Sequence, residues 1–238
     1  GGLGQRLRPL TENMPKPMLK VADKPIMDHI LDGLAESGIR DVVISLNYLG
    51  DQIRGHVGDG RTHGLNVNYV TETKRLGTAG ALALLQPRPQ KPFLVMNSDL
   101  LTGINFASLF RHQRKTRHDL VVCVRKHVTH IPYGVVELKN DRVSGLQEKP
   151  VLEHFINAGI YIMEPHCLGF IPSDSYCDMP ELILKVMESG GSVGAFPIIE
   201  YWRDIGSPDD YRQADRERRE AVTRRMPIQQ TIPMEIIR

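Results

Sequence analysis

The chain predicts an α/β fold, a mixed and mostly parallel sheet with helices on both faces. Two observations carry this. Apolar, strand-like runs alternate with segments of helical period along most of the 238 residues, as in a doubly wound parallel sheet. Asn140-Asp141 then separates two short apolar runs, which is a hairpin signal and adds antiparallel pairing. Together they describe a three-layer α/β/α, Rossmann-like sandwich. No internal repeat or low-complexity linker divides it. One domain over residues 1–225 with a tail over 226–238 is the simplest organisation.

The elements follow in order. In Pro25–Ser37, Ile26, Ile30, Leu31 and Leu34 recur at helical spacing, and Gly38 suits the C-terminal cap. Asp41–Asn47 reads as a buried strand and Gly50–Val57 as a short helix. Leu65, Val67 and Tyr69 alternate as in a strand. Thr78–Leu85 reads as a helix, and Phe93–Met96 as an apolar strand running into Asn97-Ser98-Asp99. Asn105 can cap a helix reaching about Lys115, and Leu120–Val124 is a further buried strand. Val135–Leu138 and Arg142–Leu146 form the hairpin arms, and Gly159–Met163, Pro180–Glu188 and Val193–Ile198 read as strand, helix and strand. Ser207, Pro208, Asp209 and Asp210 open a last, arginine-rich helix.

Composition excludes several classes. Thirty basic against 28 acidic residues leave a net charge of +2, so nothing in bulk charge favours nucleic acid or a membrane surface. No apolar run approaches the ~20 residues of a membrane helix. Cys123, Cys167 and Cys177 are an odd number at unrelated spacings, which argues against a disulfide framework and for a reducing cytoplasm. His127 and His130 have no further ligand pattern around them and read as loop histidines.

The residues that suggest chemistry begin at the first position. Gly1, Gly2 and Gly4 allow close backbone approach to an anion. Arg6 and Lys16 add two cations nearby. The loop is not a P-loop, since no Gly-Lys-Ser/Thr follows. Nor is it a dinucleotide fingerprint, since Arg6-Leu7-Arg8-Pro9 stands where a small residue is needed. Two cations favour a triphosphate. Asp99 ends a strand, where α/β sheets bind ligands; it is either a metal ligand or a helix cap. Asp204, before the last helix, is either a turn residue or a second carboxylate for one Mg²⁺. Glu148-Lys149-Pro150, Asn157-Ala158-Gly159 and Tyr133-Gly134 each read singly as structure, or as groups for a sugar and its phosphate.

Taken jointly, the set resembles the sugar-1-phosphate nucleotidyltransferases (nucleoside-diphosphate-sugar pyrophosphorylases). The matching pieces are Gly1–Thr11, Pro15–Leu19, Leu76–Gly80, Asn97-Ser98-Asp99, Tyr133-Gly134, Glu148-Lys149-Pro150, Asn157-Ala158-Gly159 and Trp202–Gly206. The resemblance is nearest to bacterial members that are mannose-1-phosphate guanylyltransferase-like, some of which sit behind paired regulatory CBS modules. It implies that an NTP and a sugar 1-phosphate give an NDP-sugar and pyrophosphate, with Mg²⁺ as cofactor. Arg6, Lys16 and Asp99 would be catalytic, and Asp99 and Asp204 would hold the metal. Gly1, Gly2, Gly4, Glu72, Gly77 and Thr78 would bind the nucleotide. Gly134, Glu148, Lys149, Asn157 and Gly159 would bind the sugar phosphate. Glu72 stands where the family contacts the base. A carboxylate only accepts hydrogen bonds, and guanine presents two adjacent donors, so GTP is favoured.

Two other readings stay open from sequence alone: a nucleotide-sugar glycosyltransferase-like enzyme, and a non-catalytic regulatory subunit that binds nucleotide sugars. The first usually shows an Asp-x-Asp motif, where this chain has Asn97-Ser98-Asp99. The second predicts loss of Arg6, Lys16, Asp99 or Asp204, and all four are present. Ile232, Ile236 and Ile237 of the tail suit a homo-oligomer interface. The resemblance also implies a hydrophobic strand directly before Gly1, central in the sheet.

Overall fold

The computed structural model describes Gly2 and residues 4–224. After the glycine loop, β1 (Lys20–Val21) and β2 (Lys24–Pro25) form a small hairpin leading into α1 (Ile26–Glu36). Strand β3 (Asp41–Leu46), α2 (Gly50–Val57) and β4 (Asn66–Thr71) follow as one βαβ unit. The short α3 (Gly77–Gly80) continues as a 3-10 turn over Ala81–Leu84, so the helix expected over Thr78–Leu85 is tighter in its second half. Strands β5 (Phe93–Met96) and β6 (Leu100–Thr102) flank Asp99. Next come α4 (Phe106–Thr116), the long β7 (Leu120–His130), and the hairpin of β8 (Val135–Lys139) and β9 (Arg142–Gln147). The described residues close with β10 (Val151–Met163), α5 (Met179–Glu188), β11 (Val193–Pro197), β12 (Trp202–Asp204) and α6 (Pro208–Arg224).

The caps form where the sequence places them. The Asn105 side chain accepts from the Ser108 N–H at 2.9 Å, and Ser207 Oγ accepts from the Asp210 N–H at 3.2 Å. Gly38 ends α1 at φ +84°, a region glycine enters without a Cβ penalty.

The larger sheet runs β11–β7–β10–β5. β11 and β7 are parallel, while β10 is antiparallel to both β7 and β5. β3 and β4 pair in parallel, and β12 pairs antiparallel with β6. The sheet is therefore mixed, and its antiparallel share exceeds what alternation alone suggests. The reason is β10, whose 13 residues pair along β7 and, in their second half, along β5. Both β7 and β10 extend beyond the runs read from sequence, through mostly exposed residues; His127 and His130, read as loop histidines, are thus strand residues of β7.

The layers are visible in the alternation along these two strands. Val121, Cys123, Ile160 and Ile162 face a core closed by α1, α4 and α6. Leu120, Tyr161 and Met163 face a second core with Leu182 and Val186 of α5. A third cluster joins α1 and α2 to Ile44, Leu46, Leu65 and Val67. Between β3 and β5 lies a cavity of about 470 Å³, lined by Val42 and Ile44 on one side and Met96 on the other. Among the described residues, no strand pairs with either of these two facing edges. No described helix is long and apolar enough to cross a membrane. The tail isoleucines fall outside the described residues.

One contact ties α3 to the start of α5. Gly77 sits at φ +82°, and a Cβ there would lie 2.5 Å from the Cys177 carbonyl oxygen. Gly77→Ala is expected to cost about 2–4 kcal/mol through strain and clash together. Urea denaturation measures this, and an unchanged midpoint would show that the approach is not required.

Candidate active site

The glycine loop is pinned from beneath. Gly4 is left-handed at φ +63°, and its carbonyl accepts from Thr11 Oγ1 at 2.7 Å. A Cβ on Gly4 would sit 2.9 Å from the Thr11 Cβ, so only glycine lets the loop close on this buried threonine. Leu7 anchors the following turn in the core, while Arg6 stays exposed at the cleft.

Lys16 enters the same cleft from a 3-10 turn held between Pro15 and Pro17. Its side chain is only 12% exposed, and its Nζ donates to Asp99 Oδ2 at 2.5 Å. Asp204 Oδ1 lies 3.9 Å from the same nitrogen. Two carboxylates thus share one buried cation. Burial and the neighbouring Asp99 push the Asp204 carboxyl above its usual range, with Lys16 and Arg6 opposing. Asp99 Oδ1 is buried and has no hydrogen-bond partner, and native structures rarely leave such an acceptor unsatisfied.

This donor set fits Mg²⁺, which is usually held by one or two carboxylates plus waters and phosphate oxygens rather than an all-protein cage. No cluster of three or more His, Cys, Asp or Glu metal ligands occurs among the described residues, and this ion does not require one. Asp99 and Asp204 would hold the ion, with Asp99 Oδ1 as a vacant acceptor. Gly206 keeps the corner open, since a Cβ there would sit 3.0 Å from Asp204 Oδ2 and 3.4 Å from Arg6 Nη1. The cavity here measures about 310 Å³.

The remaining sequence candidates divide into two groups. Glu72, Gly77 and Thr78 line the adjoining cavity wall, but their polar groups also hold the fold. Glu72 is 8% exposed; it accepts from Ser45 Oγ at 2.7 Å and from the Leu76 N–H at 3.1 Å. The Thr78 N–H and hydroxyl both donate to Asp178 Oδ1, at 2.8 and 3.0 Å.

Gly134, Glu148, Lys149, Asn157 and Gly159 do not line either cavity. Glu148 and Lys149 are each 69% exposed, beside Gly134. Gly159, read from sequence as the start of a strand, and Asn157, two residues before it, both lie in β10 where its register on β7 shifts. Gly159 packs against Asn97 and accepts the Asn97 N–H at 2.9 Å, which fixes the backbone just before Asp99. Gly1 lies outside the described residues.

A family model described as nucleotidyl transferase matches residues 1–221. The chain belongs to the nucleotidyl transferase family. It is 33% identical over 223 residues to a mannose-1-phosphate guanyltransferase of Yarrowia lipolytica, covering 89% of this chain and 60% of that protein. A mannose-1-phosphate guanylyltransferase of Mycobacterium tuberculosis is also 33% identical, over 218 residues, with the same coverage of 89% and 60%. The chain thus spans about 60% of the length of these curated relatives. The crystal structure of HddC from Yersinia pseudotuberculosis, complexed with GMP-PN, superimposes at a TM-score of 0.69 and 25% identity, covering 91% of this chain and 96% of that one. A Bacillus anthracis structure in complex with a sucrose shares the fold at a TM-score of 0.74 and 19% identity, covering 92% and 93%.

In this nucleotidyl transferase chain, several cleft residues escaped the sequence reading. Ser45, Asn47 and Tyr48 line the cleft at the C-terminal end of β3, where the strand-end rule that found Asp99 also applies. Arg75 lines both cavities from the β4–α3 connection. Thr11 closes the first matching piece but was given no role from sequence; its hydroxyl holds the Gly4 carbonyl.

Asp204 makes a testable trade between stability and binding. Its folded-state pKa is raised from the ordinary 3.8. Its contribution therefore favours the folded state below that value and is lost as pH rises through the raised one. Asp204→Asn is expected to raise the melting temperature of the metal-free protein at pH 7 and to leave it unchanged near pH 3. Calorimetry at both pH values checks this; a lower melting temperature at pH 7 would show that Asp204 stabilises as a carboxylate.

Proposed function

We propose that this protein transfers a nucleoside monophosphate from an NTP, with GTP preferred, to a sugar 1-phosphate, forming an NDP-sugar and releasing pyrophosphate. The observation that carries this is the Lys16-bridged pair of Asp99 and Asp204, with Asp99 Oδ1 unsatisfied, beneath the Gly4 loop and Arg6. Family membership and relatives named as mannose-1-phosphate guanylyltransferases support it.

The chemistry needs no general base. The nucleophile is a phosphate oxygen of the sugar 1-phosphate, already anionic at neutral pH. It forms a bond to the α-phosphorus as the α–β bridging P–O bond breaks, and the electron pair leaves with pyrophosphate. The barrier is electrostatic, because two anions meet and charge grows on the leaving group. Arg6 and Lys16 bind the triphosphate and the departing pyrophosphate. Asp99 and Asp204 would hold Mg²⁺, which would supply further charge neutralisation to the phosphates. The resemblance gives Lys149 to the sugar phosphate and Gly134, Glu148, Asn157 and Gly159 to the sugar, although none of the five lines either cavity. Glu72 accepts from the guanine N1–H and amino group. The three buried free thiols suit a reducing cytoplasm.

A matrix of four nucleoside triphosphates against several sugar 1-phosphates, assayed for pyrophosphate release, tests the activity. Turnover is expected with GTP, and a strong preference for UTP would refute the assignment of Glu72. Asp99→Asn is expected to lower kcat by at least ~10²-fold, the scale of losing one preorganised electrostatic group. Near wild-type turnover of that variant with Mg²⁺ would remove the metal role. Nucleotide retention without turnover on any sugar phosphate would favour the regulatory reading.

The proposal extends to the strand that the resemblance places before Gly1. Its support is the apolar cavity between the edges of β3 and β5, with Gly2 among its lining residues. Joining a short apolar, strand-forming segment ahead of Gly1 is expected to raise the melting temperature and tighten nucleotide binding. Unchanged values for both would exclude that occupant.

A further inference from the structure

Two buried side-chain nitrogen or oxygen atoms among the described residues lack a hydrogen-bond partner. One is Asp99 Oδ1; the other is Nε of Arg218, on α6. Arg218 lines a separate cavity of about 300 Å³ together with Arg125, Tyr201, Trp202, Arg203 and Glu217. None of these residues lines the Lys16–Asp99 cleft.

The three guanidinium groups are not equivalent. Arg203 is neutralised by Glu217, to which its Nη2 and Nε donate at 2.8 and 3.1 Å, and Asp210 Oδ1 stands 4.0 Å from its Nη1. Arg125 Nη1 donates to the Ile198 and Glu200 carbonyls at 2.9 and 2.7 Å. Those bonds fix its direction without cancelling its charge. Arg218 lies over the Tyr201 ring at 5.3 Å. Neither Arg125 nor Arg218 has a carboxylate within ion-pair distance among the described residues. Two half-buried guanidiniums without a carboxylate partner share one cavity, and an anion between them would neutralise both.

We propose that this cavity is a second anion site, which takes the phosphoryl group of a phosphate or phosphomonoester between Arg125 and Arg218. Planar guanidinium forks match the oxygens of a phosphoryl group. The site is wired to the cleft by covalent and hydrogen-bonded neighbours. Trp202 Nε1 donates to the Ala158 carbonyl at 2.9 Å, and β12 carries Trp202 and Asp204 two residues apart. The inference rests on the cavity alone and does not need the proposed reaction.

Trp202 is the single tryptophan of the chain, so its fluorescence reports on this cavity. Titration of the full chain with inorganic phosphate, at ionic strength matched with sodium chloride, is expected to give a saturable change that acetate does not give. Arg125→Gln and Arg218→Gln should each weaken binding by about tenfold or more, the loss of one charge-assisted contact. Arg218→Lys, which keeps the charge, should bind with intermediate affinity and guards against a folding defect. Arg6→Gln should leave the change intact. A sugar 1-phosphate that binds more tightly than inorganic phosphate identifies an organic phosphomonoester as the occupant, and equal binding identifies free phosphate. The proposal is overturned if no saturable change occurs, if both glutamine variants bind normally, or if Arg6→Gln abolishes the signal.

Discussion

The ion pair between Lys16 and Asp99 is the interaction on which the candidate site depends. It joins the segment after the glycine loop to the end of β5, two parts of the chain 83 residues apart. Asp99 and Asp204 would repel one another in this space without it. A single ammonium against two carboxylates leaves one negative charge, which the Arg6 guanidinium across the corner offsets. Such a site can take a divalent cation between its carboxylates and phosphates against its cations together, since each added charge meets its opposite. The short contact is therefore both a fold constraint and a statement about ligand charge.

Around that pair, glycines set the distances. Gly4 lets the loop close onto Thr11, Gly159 lets β10 pack on Asn97, and Gly206 leaves space between Asp204 and Arg6. The Cβ of Gly206 would meet Asp204 and Arg6 themselves, that of Gly159 would meet Asn97 two residues before Asp99, and that of Gly4 would meet the threonine that holds the loop. The spacing of the motifs in sequence is the trace of these approaches.

Much of this was legible in the residues. Strand and helix alternation placed α1, α2, β5 and α5 within a residue or two, because each carries an apolar stripe or run and recognisable ends. The hairpin followed from Asn140, which adopts φ +58°. Arg6, Lys16, Asp99 and Asp204 were named from sequence, and the fold brings them to one cleft. The length of β10 was not legible. Its first half, from Val151 to Asn157, is mostly exposed and gains its strand conformation from backbone pairing with β7 rather than from an apolar face. Thr11 and Ser45 were missed for a related reason. Each donates its hydroxyl to an acceptor in another segment, the Gly4 carbonyl for Thr11 and the Glu72 carboxylate for Ser45, and no periodic pattern encodes the partner.

Glu72 and Thr78 show why a motif alone does not separate fold from function. Both lie on the cavity wall, and both make short hydrogen bonds that hold chain segments together. A polar group satisfied within the protein gives up part of that bonding if it also engages a ligand, so its net contribution to binding is small. A buried group left unsatisfied has already lost its hydration, so a ligand that reaches it recovers part of that cost. By this criterion, the binding free energy of the cleft concentrates at Asp99 rather than across its walls. The same criterion gives Arg218 its significance, because its buried Nε lacks a partner although the residue belongs to no motif. Unsatisfied burial thus marks the two cavities by one physical rule, and it would do so in the absence of any resemblance.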